Sequence, residues 1–145
     1  MDGYELIYLL GFAVATVMRS YYGIRFKRNN IIATKQEHPL VYIGMALWGL
    51  VLILPFFLIF SNWLAFADYN VSTPLQILGA WIFIIGLWVL WRSHQDLGLN
   101  FSPSLLIRNQ HTLITTGLYK TIRHPMYLSF LMWAVGQALL IDNWL

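Results

Sequence analysis

Four long apolar runs, separated by shorter polar segments, constrain the fold of this chain more than any other feature of its sequence. They cover about residues 4–22, 40–60, 75–91 and 125–145. An α-helix needs roughly 17–25 residues to cross a bilayer core of about 30 Å, and each run is close to that length. Only 10% of the 145 residues are charged, whereas soluble domains carry about 25%. The sequence therefore predicts an all-α, multi-pass integral membrane protein, with four transmembrane helices in a single membrane domain over residues 1–145.

The distribution of positive charge predicts how these spans are oriented. With four spans, all nine Lys and Arg residues fall on one side of the membrane, and the positive-inside rule makes that side cytosolic. The N-terminus is then outside, and in a bacterial cell the membrane is the inner one. Because the basic residues flank apolar spans, we interpret the net charge of +3 as a membrane feature and expect no nucleic-acid partner. Tyr22, at the end of the first run, is interpreted as part of an interfacial aromatic belt.

Proline, serine and glycine mark helix starts and helix contacts. We expect the second span to begin at His38-Pro39 and the fourth at Pro125, because proline is well accepted in a first helical turn. The sequence Ser72-Thr73-Pro74 is a start signal for the third span. Gly79 and Gly86 within that span would permit close contact with another helix.

The residues between the third and fourth runs do not form another span. Residues 92–124 mix apolar pairs with Asn, Ser, Pro and Gly, so they are too interrupted to cross the membrane. We predict that they form an interfacial segment packed on the cytosolic ends of the helices. In a membrane chain such a polar segment is tolerated at the water boundary or inside a cavity, so chemistry is expected there first.

The C-terminal part of this segment carries residue types that suit a charged ligand. Arg123 can bind a carboxylate through two parallel hydrogen bonds, and His124 is of the residue type that most often transfers protons near neutral pH. The rings of Tyr119 and Tyr127 offer faces to a cation, and Gly117 permits a turn that other residues resist. Together they suit a zwitterionic ligand with a cationic centre and a carboxylate, of which S-adenosylmethionine is an example.

The spacing over residues 111–127 also resembles a known family signature. The pattern H-x-L-I-T-x-G-x-Y-x-x-x-R-H-P-x-Y is similar to that of the isoprenylcysteine carboxyl methyltransferase family, in a form typical of bacterial members. Ten positions carry the resemblance: His111, Leu113, Ile114, Thr115, Gly117, Tyr119, Arg123, His124, Pro125 and Tyr127. The preceding L-G-L-N-F-S, Leu97–Ser102, is similar to a segment that comes before the signature in bacterial members.

This resemblance implies a membrane methyltransferase that uses S-adenosylmethionine. In the family the cofactor lies at the cytosolic face, and a hydrophobic or lipid-linked acceptor, such as a prenylcysteine-type carboxylate, arrives from the bilayer. The resemblance further implies that the cofactor-binding residues are the matching motif positions, His111, Leu113, Gly117, Tyr119, Arg123, His124, Pro125 and Tyr127. Arg123, His124 and Tyr127 would be the catalytic residues. Phospholipid methyltransferases and sterol reductases look similar in this core, so the motif leaves the methyl acceptor open.

The alternative is a non-catalytic four-span membrane protein with an assembly or structural role. Family members continue past the fourth span with motifs resembling E-E-x-x-L and F-G-x-x-Y that complete the cofactor pocket, whereas this sequence ends at Asn143-Trp144-Leu145. On that interpretation the chain is a truncated or degenerate family member. The sequence does not predict an oligomeric state.

Other classes of function are less compatible with the sequence. A transporter would be marked by charged residues in the middle of a span, and none of the four runs holds one there. The chain has no cysteine, which excludes a Cys nucleophile and thiolate metal sites. The nearest histidines are 13 residues apart, so no metal site is expected.

Overall fold

A computed structural model of the protein describes residues 3–28, 39–60, 69–101 and 114–141. Four helices form its framework: α1 (Gly3–Arg28), α2 (Pro39–Phe60), α3 (Thr73–Leu97) and α4 (Pro125–Ile141). Two short 3-10 helices, Gly98–Asn100 and Gly117–Lys120, follow α3 and precede α4. Every regular element within the described ranges is helical, so the prediction of an all-α protein is confirmed.

Two of the helices are long and apolar enough to cross a membrane. They are Gly3–Phe26 within α1, with 24 residues, and the whole of α3, with 25 residues. α4 is apolar but shorter, with 17 residues, and α2 has 22 residues with Pro55 inside it. The helices thus agree with a membrane protein, while the count of four spans and the orientation with the N-terminus outside stay predictions.

The predicted helix starts are confirmed. α2 begins at Pro39 and α4 at Pro125, where the missing N–H of proline removes no helical hydrogen bond. Ser72 is the N-cap of α3, with a proline in the first turn of the helix. The carbonyl of Ser72 accepts hydrogen bonds from the N–H groups of Leu75 and Gln76, at 2.8 and 3.1 Å.

α3 continues further than its apolar run predicts. The run ends near residue 91, but the helix ends at Leu97, so the first six residues of the predicted interfacial segment are helical. Arg92 Nε lies 3.2 Å from Asp96 Oδ1, and this i,i+4 ion pair stabilises the added turn. Gly98 then ends the helix with a φ of +50°, in a region that favours glycine.

α3 and α4 make the most extensive helix contact in the described part of the chain. A side chain at Gly79 would collide with Leu139, and one at Gly86 would meet Met132. These pairings run in opposite directions along the two helices, so α3 and α4 are antiparallel. Small residues allow membrane helices to approach closely, so the predicted role of the two glycines is confirmed.

An aromatic cluster joins α1 to this pair of helices. Tyr8, Phe83 and Trp133 come from α1, α3 and α4, and all three are buried. The ring centroids of Phe83 and Trp133 are 4.8 Å apart, and those of Tyr8 and Phe83 are 5.7 Å apart. Gly11 of α1 lies directly against the Phe83 ring. Further along, Tyr22 of α1 contacts His94 of α3, so the C-terminal ends of α1 and α3 meet beside the start of α4.

Candidate functional site

The candidate site begins with a tight turn ahead of α4. Gly117 has a φ of +61°, which confirms the prediction that this position needs the conformational freedom of glycine. A 3-10 helix then covers Gly117–Lys120. The carbonyl of Leu118 accepts hydrogen bonds from the N–H groups of Thr121 and Ile122, at 3.1 and 2.9 Å. The backbone of the motif segment is therefore folded on itself before α4 starts.

Asp96 of α3 anchors this turn. Its Oδ2 accepts a hydrogen bond of 2.8 Å from the N–H of Leu118, while its Oδ1 pairs with Arg92. Thr116 occupies the N-cap of the 3-10 helix, and its side chain makes no capping hydrogen bond. Asp96 therefore supplies from another helix the acceptor that a local N-cap residue usually supplies. A Cβ at Gly117 would collide with the Asp96 carboxylate, so glycine is needed here for space as well as for φ.

The motif segment passes directly into α4. The carbonyl of His124 accepts the N–H groups of Tyr127 and Leu128, at 3.1 and 3.2 Å, so His124 is the N-cap residue of the helix. Pro125 is buried behind it. Since proline has no N–H to satisfy, it closes the first turn of α4 without an unpaired donor. His124 and the residues around it are thus fixed by the backbone of the helix start.

Three predicted site residues lie together on the exposed side of this helix start. Arg123 and His124 are exposed, and Tyr127 is 69% exposed. The rings of His124 and Tyr127 are 5.4 Å apart between centroids and tilted by 35°. The start of α4 therefore carries two neighbouring aromatic rings and, next to His124 in sequence, an exposed arginine.

Tyr119 comes between Leu118, which is bound by Asp96, and the exposed Arg123 in the sequence, and its side chain is partly buried. Burial raises the pKa of its phenol to about 12, and the nearby Asp96 carboxylate adds to the shift because a second negative charge beside it is unfavourable. The phenol is therefore uncharged across the physiological range, and it can donate a hydrogen bond.

The structure brings together part of the predicted set. Gly117, Tyr119 and Pro125 form the turn and the helix start, and Arg123, His124 and Tyr127 lie on its exposed edge. His111 and Leu113 lie outside the described residues. A crevice of about 80 Å³ between α1, α3 and α4 is lined by other side chains, and none of the predicted site residues that the structure describes contributes to it.

Sequence reasoning missed Asp96 and gave Arg92 the role of a topology charge only. The pair does more, since Arg92 holds the carboxylate that caps the motif turn. The i,i+4 spacing of the two residues is a signal that the helix extends past its apolar run. The contact between Asp96 and Leu118 joins residues 22 positions apart, and no periodicity in the sequence indicates it.

Residues 77–145 match the model of a family described as the isoprenylcysteine carboxyl methyltransferase (ICMT) family. The match includes most of α3, the anchored turn and all of α4. Residues 77–145 of this chain are therefore similar to that family, and the resemblance that the motif indicates is confirmed. The bacterial character of the chain stays a prediction.

Three relatives have names that refer to protein-S-isoprenylcysteine O-methyltransferase. The protein from Saccharomyces cerevisiae is 34% identical over 79 residues, which are 52% of this chain and 33% of the yeast protein. The Homo sapiens protein is 28% identical over 94 residues, 57% of this chain and 32% of its own length. A protein of Oryza sativa subsp. indica, named as a probable member, is 51% identical over 71 residues, 48% of this chain and 37% of its own. The chain thus spans about a third of the length of these relatives.

Proposed function

We propose that this protein is an S-adenosylmethionine-dependent membrane methyltransferase that modifies a hydrophobic or lipid-linked acceptor. The observation that carries the proposal is the family match over residues 77–145, which contains the turn anchored by Asp96. The relatives are named as methyltransferases of S-isoprenylcysteine. A prenylcysteine-type carboxylate is accordingly the acceptor that we propose first.

The donor set at the start of α4 fits this cofactor. Arg123 is exposed and precedes His124, whose ring contacts that of Tyr127. A guanidinium suits the carboxylate of an aminoacyl group, and aromatic faces suit a positively charged sulfur. When bound, S-adenosylmethionine supplies a methyl group on that sulfur. His111 and Leu113 belong to the proposed cofactor-binding set on the motif alone.

The acceptor decides which of these side chains moves a proton. A carboxylate with a pKa near 3.5 is ionised at neutral pH, so Arg123, His124 and Tyr127 then act by positioning the reactants and excluding water. A thiol or an amine acceptor would have to lose a proton. His124 is the described residue that would accept it, at a ring nitrogen.

We further propose an orientation for the site. The basic segments before α2 and before α4 are cytosolic, and the N-terminus is outside, as the positive-inside rule predicts. The motif turn then lies at the cytosolic face, where a water-soluble cofactor has access. A hydrophobic acceptor would approach the same helix ends from the bilayer.

Titration of purified protein in detergent with S-adenosylhomocysteine, the demethylated form of the cofactor, tests the proposal. We expect binding to the wild type and binding that is about tenfold weaker for Arg123→Ala, because a charged hydrogen bond contributes roughly 1.5–3 kcal/mol. Arg28→Ala is the matched control, since it removes the same charge from an exposed position at the end of α1. It should bind as the wild type does.

A folded wild-type sample that gives no binding signal would reject the methyltransferase proposal. The alternative, a non-catalytic membrane protein with an assembly or structural role, would then be favoured. If Arg123→Ala and Arg28→Ala weaken binding equally, the effect is one of net charge, and the assignment of Arg123 to the carboxylate of the cofactor would be rejected.

A further inference from the structure

A crevice between α1, α3 and α4 is lined by side chains other than the motif residues within 114–127 that the structure describes. Its walls are apolar, with Phe12 from α1, Leu90 from α3, and Phe130 and Trp133 from α4. Its volume is about 80 Å³, so it accommodates the end of a molecule rather than a whole hydrocarbon chain. Apolar pockets with a few placed polar groups are typical of small-molecule sites.

One polar group in this crevice has an unused hydrogen-bonding atom. His94 is 1% exposed, and its Nδ1 lies 2.8 Å from the carbonyl oxygen of Leu90. Since a carbonyl oxygen only accepts, Nδ1 carries the hydrogen, and Nε2 of the neutral ring presents a lone pair. Within the described part of the chain, this buried Nε2 has no hydrogen-bond partner. A buried acceptor without a partner costs free energy, which a bound donor would recover.

Aromatic neighbours hold the His94 ring in place. Its centroid lies 5.1 Å from that of Tyr22 and 4.6 Å from that of Phe101. Tyr22 is only 8% exposed, so its interpretation as an interfacial belt residue is wrong. The reason is that α3 extends far enough for His94 to reach Tyr22. The two rings therefore hold Nε2 in a defined position beside the crevice that His94 lines.

The other polar groups of the crevice define the ligand further. The hydroxyl of Thr16 donates its hydrogen to the carbonyl of Phe12, at 2.8 Å, so it does not offer that hydrogen to a ligand. Arg19 lines the crevice from an exposed position and adds a positive charge. The crevice thus offers His94 Nε2 and the hydroxyl oxygen of Thr16 as acceptors, one cation and apolar walls. The complementary ligand has an N–H or O–H donor and an anionic group at one end of an apolar chain.

The crevice is close to the motif segment along both helices. His94 precedes the anchoring residue Asp96 by two positions. Phe130 follows Tyr127 by three positions, which is about 4.5 Å of helix rise. Along α4, the crevice residue Phe130 and the proposed site residue Tyr127 are thus about one helical turn apart.

We propose that this crevice binds the polar end of the methyl acceptor. His94 Nε2 accepts a hydrogen bond from the acceptor's N–H or O–H group, and Arg19 pairs with its carboxylate. The assignment of the ligand as an acceptor rests on the proposed function, whereas the binding chemistry of the crevice does not. His94 is a binding residue in this account, and it takes no part in the methyl transfer.

A pair of probes that differ by one hydrogen-bond donor tests the proposal. N-acetyl-S-prenylcysteine carries an amide N–H beside a carboxylate, and N-acetyl-N-methyl-S-prenylcysteine keeps the carboxylate but lacks that N–H. The affinity of the full chain for each probe would be measured in phosphatidylcholine nanodiscs. We expect the wild type to bind the N–H probe about fivefold more tightly, as for one hydrogen bond of typical net strength. His94→Phe, which keeps an aromatic ring but removes the acceptor, should bind the two probes equally.

Two further variants separate this role from a structural one. His94→Gln places an amide oxygen near the position of Nε2 and should restore part of the preference, even if His94→Phe folds poorly. Ser93→Ala is the matched control, because Ser93 is buried on the same helix and donates to its own helix at Val89. The preference should be unchanged in Ser93→Ala.

The proposal is overturned if the wild type binds both probes equally or binds neither. It is also overturned if His94→Phe keeps the preference, because the N-methyl group would then act by size alone.

A second arm adds phosphatidylglycerol, which carries an anion and hydroxyl donors. Displacement of the probe by this lipid would make the crevice a headgroup site and reject the acceptor assignment. A preference that persists where S-adenosylhomocysteine does not bind would reject the proposed function alone.

Discussion

The two halves of this molecule are packed differently. α3 and α4 approach through glycines, and the Asp96 carboxylate connects them to the motif turn. α1 and α2 carry many exposed apolar side chains, among them Val17 at 69% and Leu40 at 67% exposure. The family match covers residues 77–145, which is the closely packed half. The comparison teaches that the motif turn depends on the close interface of α3 and α4, whereas α1 joins this pair through an aromatic cluster and one wall of the crevice.

The largest effect is expected from substitution at a glycine in the packed half. A Cβ at Gly136 would lie 2.8–2.9 Å from the Cβ, Cα and N atoms of Phe83, and backbone atoms cannot move aside. Gly136→Leu should therefore lower the free energy of unfolding by about 3 kcal/mol, as for overpacked cores. Denaturant titration in mixed micelles measures this value.

Gly44→Leu in α2 is the matched control for this prediction. Gly44 has open space around the position of its Cβ, so the same substitution should leave stability unchanged or slightly raised. Equal losses at Gly136 and Gly44 would show that the two halves are packed alike and would remove the basis of the comparison.

A smaller effect is expected at the anchor of the motif turn. Asp96→Ala leaves the N–H of Leu118 without its acceptor, which should cost about 1.5 kcal/mol locally. Hydrogen exchange should become faster at the amides of residues 117–122, while α3 before residue 92 should be unaffected. Asp96→Asn keeps a side-chain oxygen and should lose less protection. Unchanged exchange in Asp96→Ala would contradict the anchoring role.

The smallest effect concerns the Tyr119 phenol. Its folded-state pKa is raised to about 12, above the usual value near 10, so the folded state holds this proton where the unfolded state has lost it. The stabilisation is complete below about pH 10 and is lost as the pH rises towards 12. Tyr119→Phe should therefore be less sensitive to pH than the wild type in this window. Thermal unfolding midpoints of the two proteins between pH 9 and pH 12 would measure the difference, and parallel profiles would contradict the prediction.

Sequence alone predicted the parts of the fold that depend on local chemistry. The starts at Pro39, Ser72 and Pro125 follow from the preferences of a first helical turn, and Gly117 follows from the need for a positive φ. The extension of α3 to Leu97 was missed because the end of the helix was placed at the end of its apolar run. The last turn is stabilised instead by the ion pair of Arg92 with Asp96, which an apolar pattern does not reveal.

The parts of the site that depend on contacts between helices were not predicted. The Asp96 carboxylate meets Leu118, and His94 is enclosed by Tyr22 and Phe101. Each contact joins elements whose relative position is set by helix packing, and helix periodicity does not specify it. A histidine after an apolar run is expected to be solvated, and its burial becomes evident only once α1 lies beside α3.

Hydrogen exchange with and without S-adenosylhomocysteine tests the central claim, that the anchored motif turn and the start of α4 form the cofactor site. The account predicts added protection at the amides of residues 117–128, and no change in α2. Protection confined to α1 and α2, or no protection at saturating ligand, would contradict it.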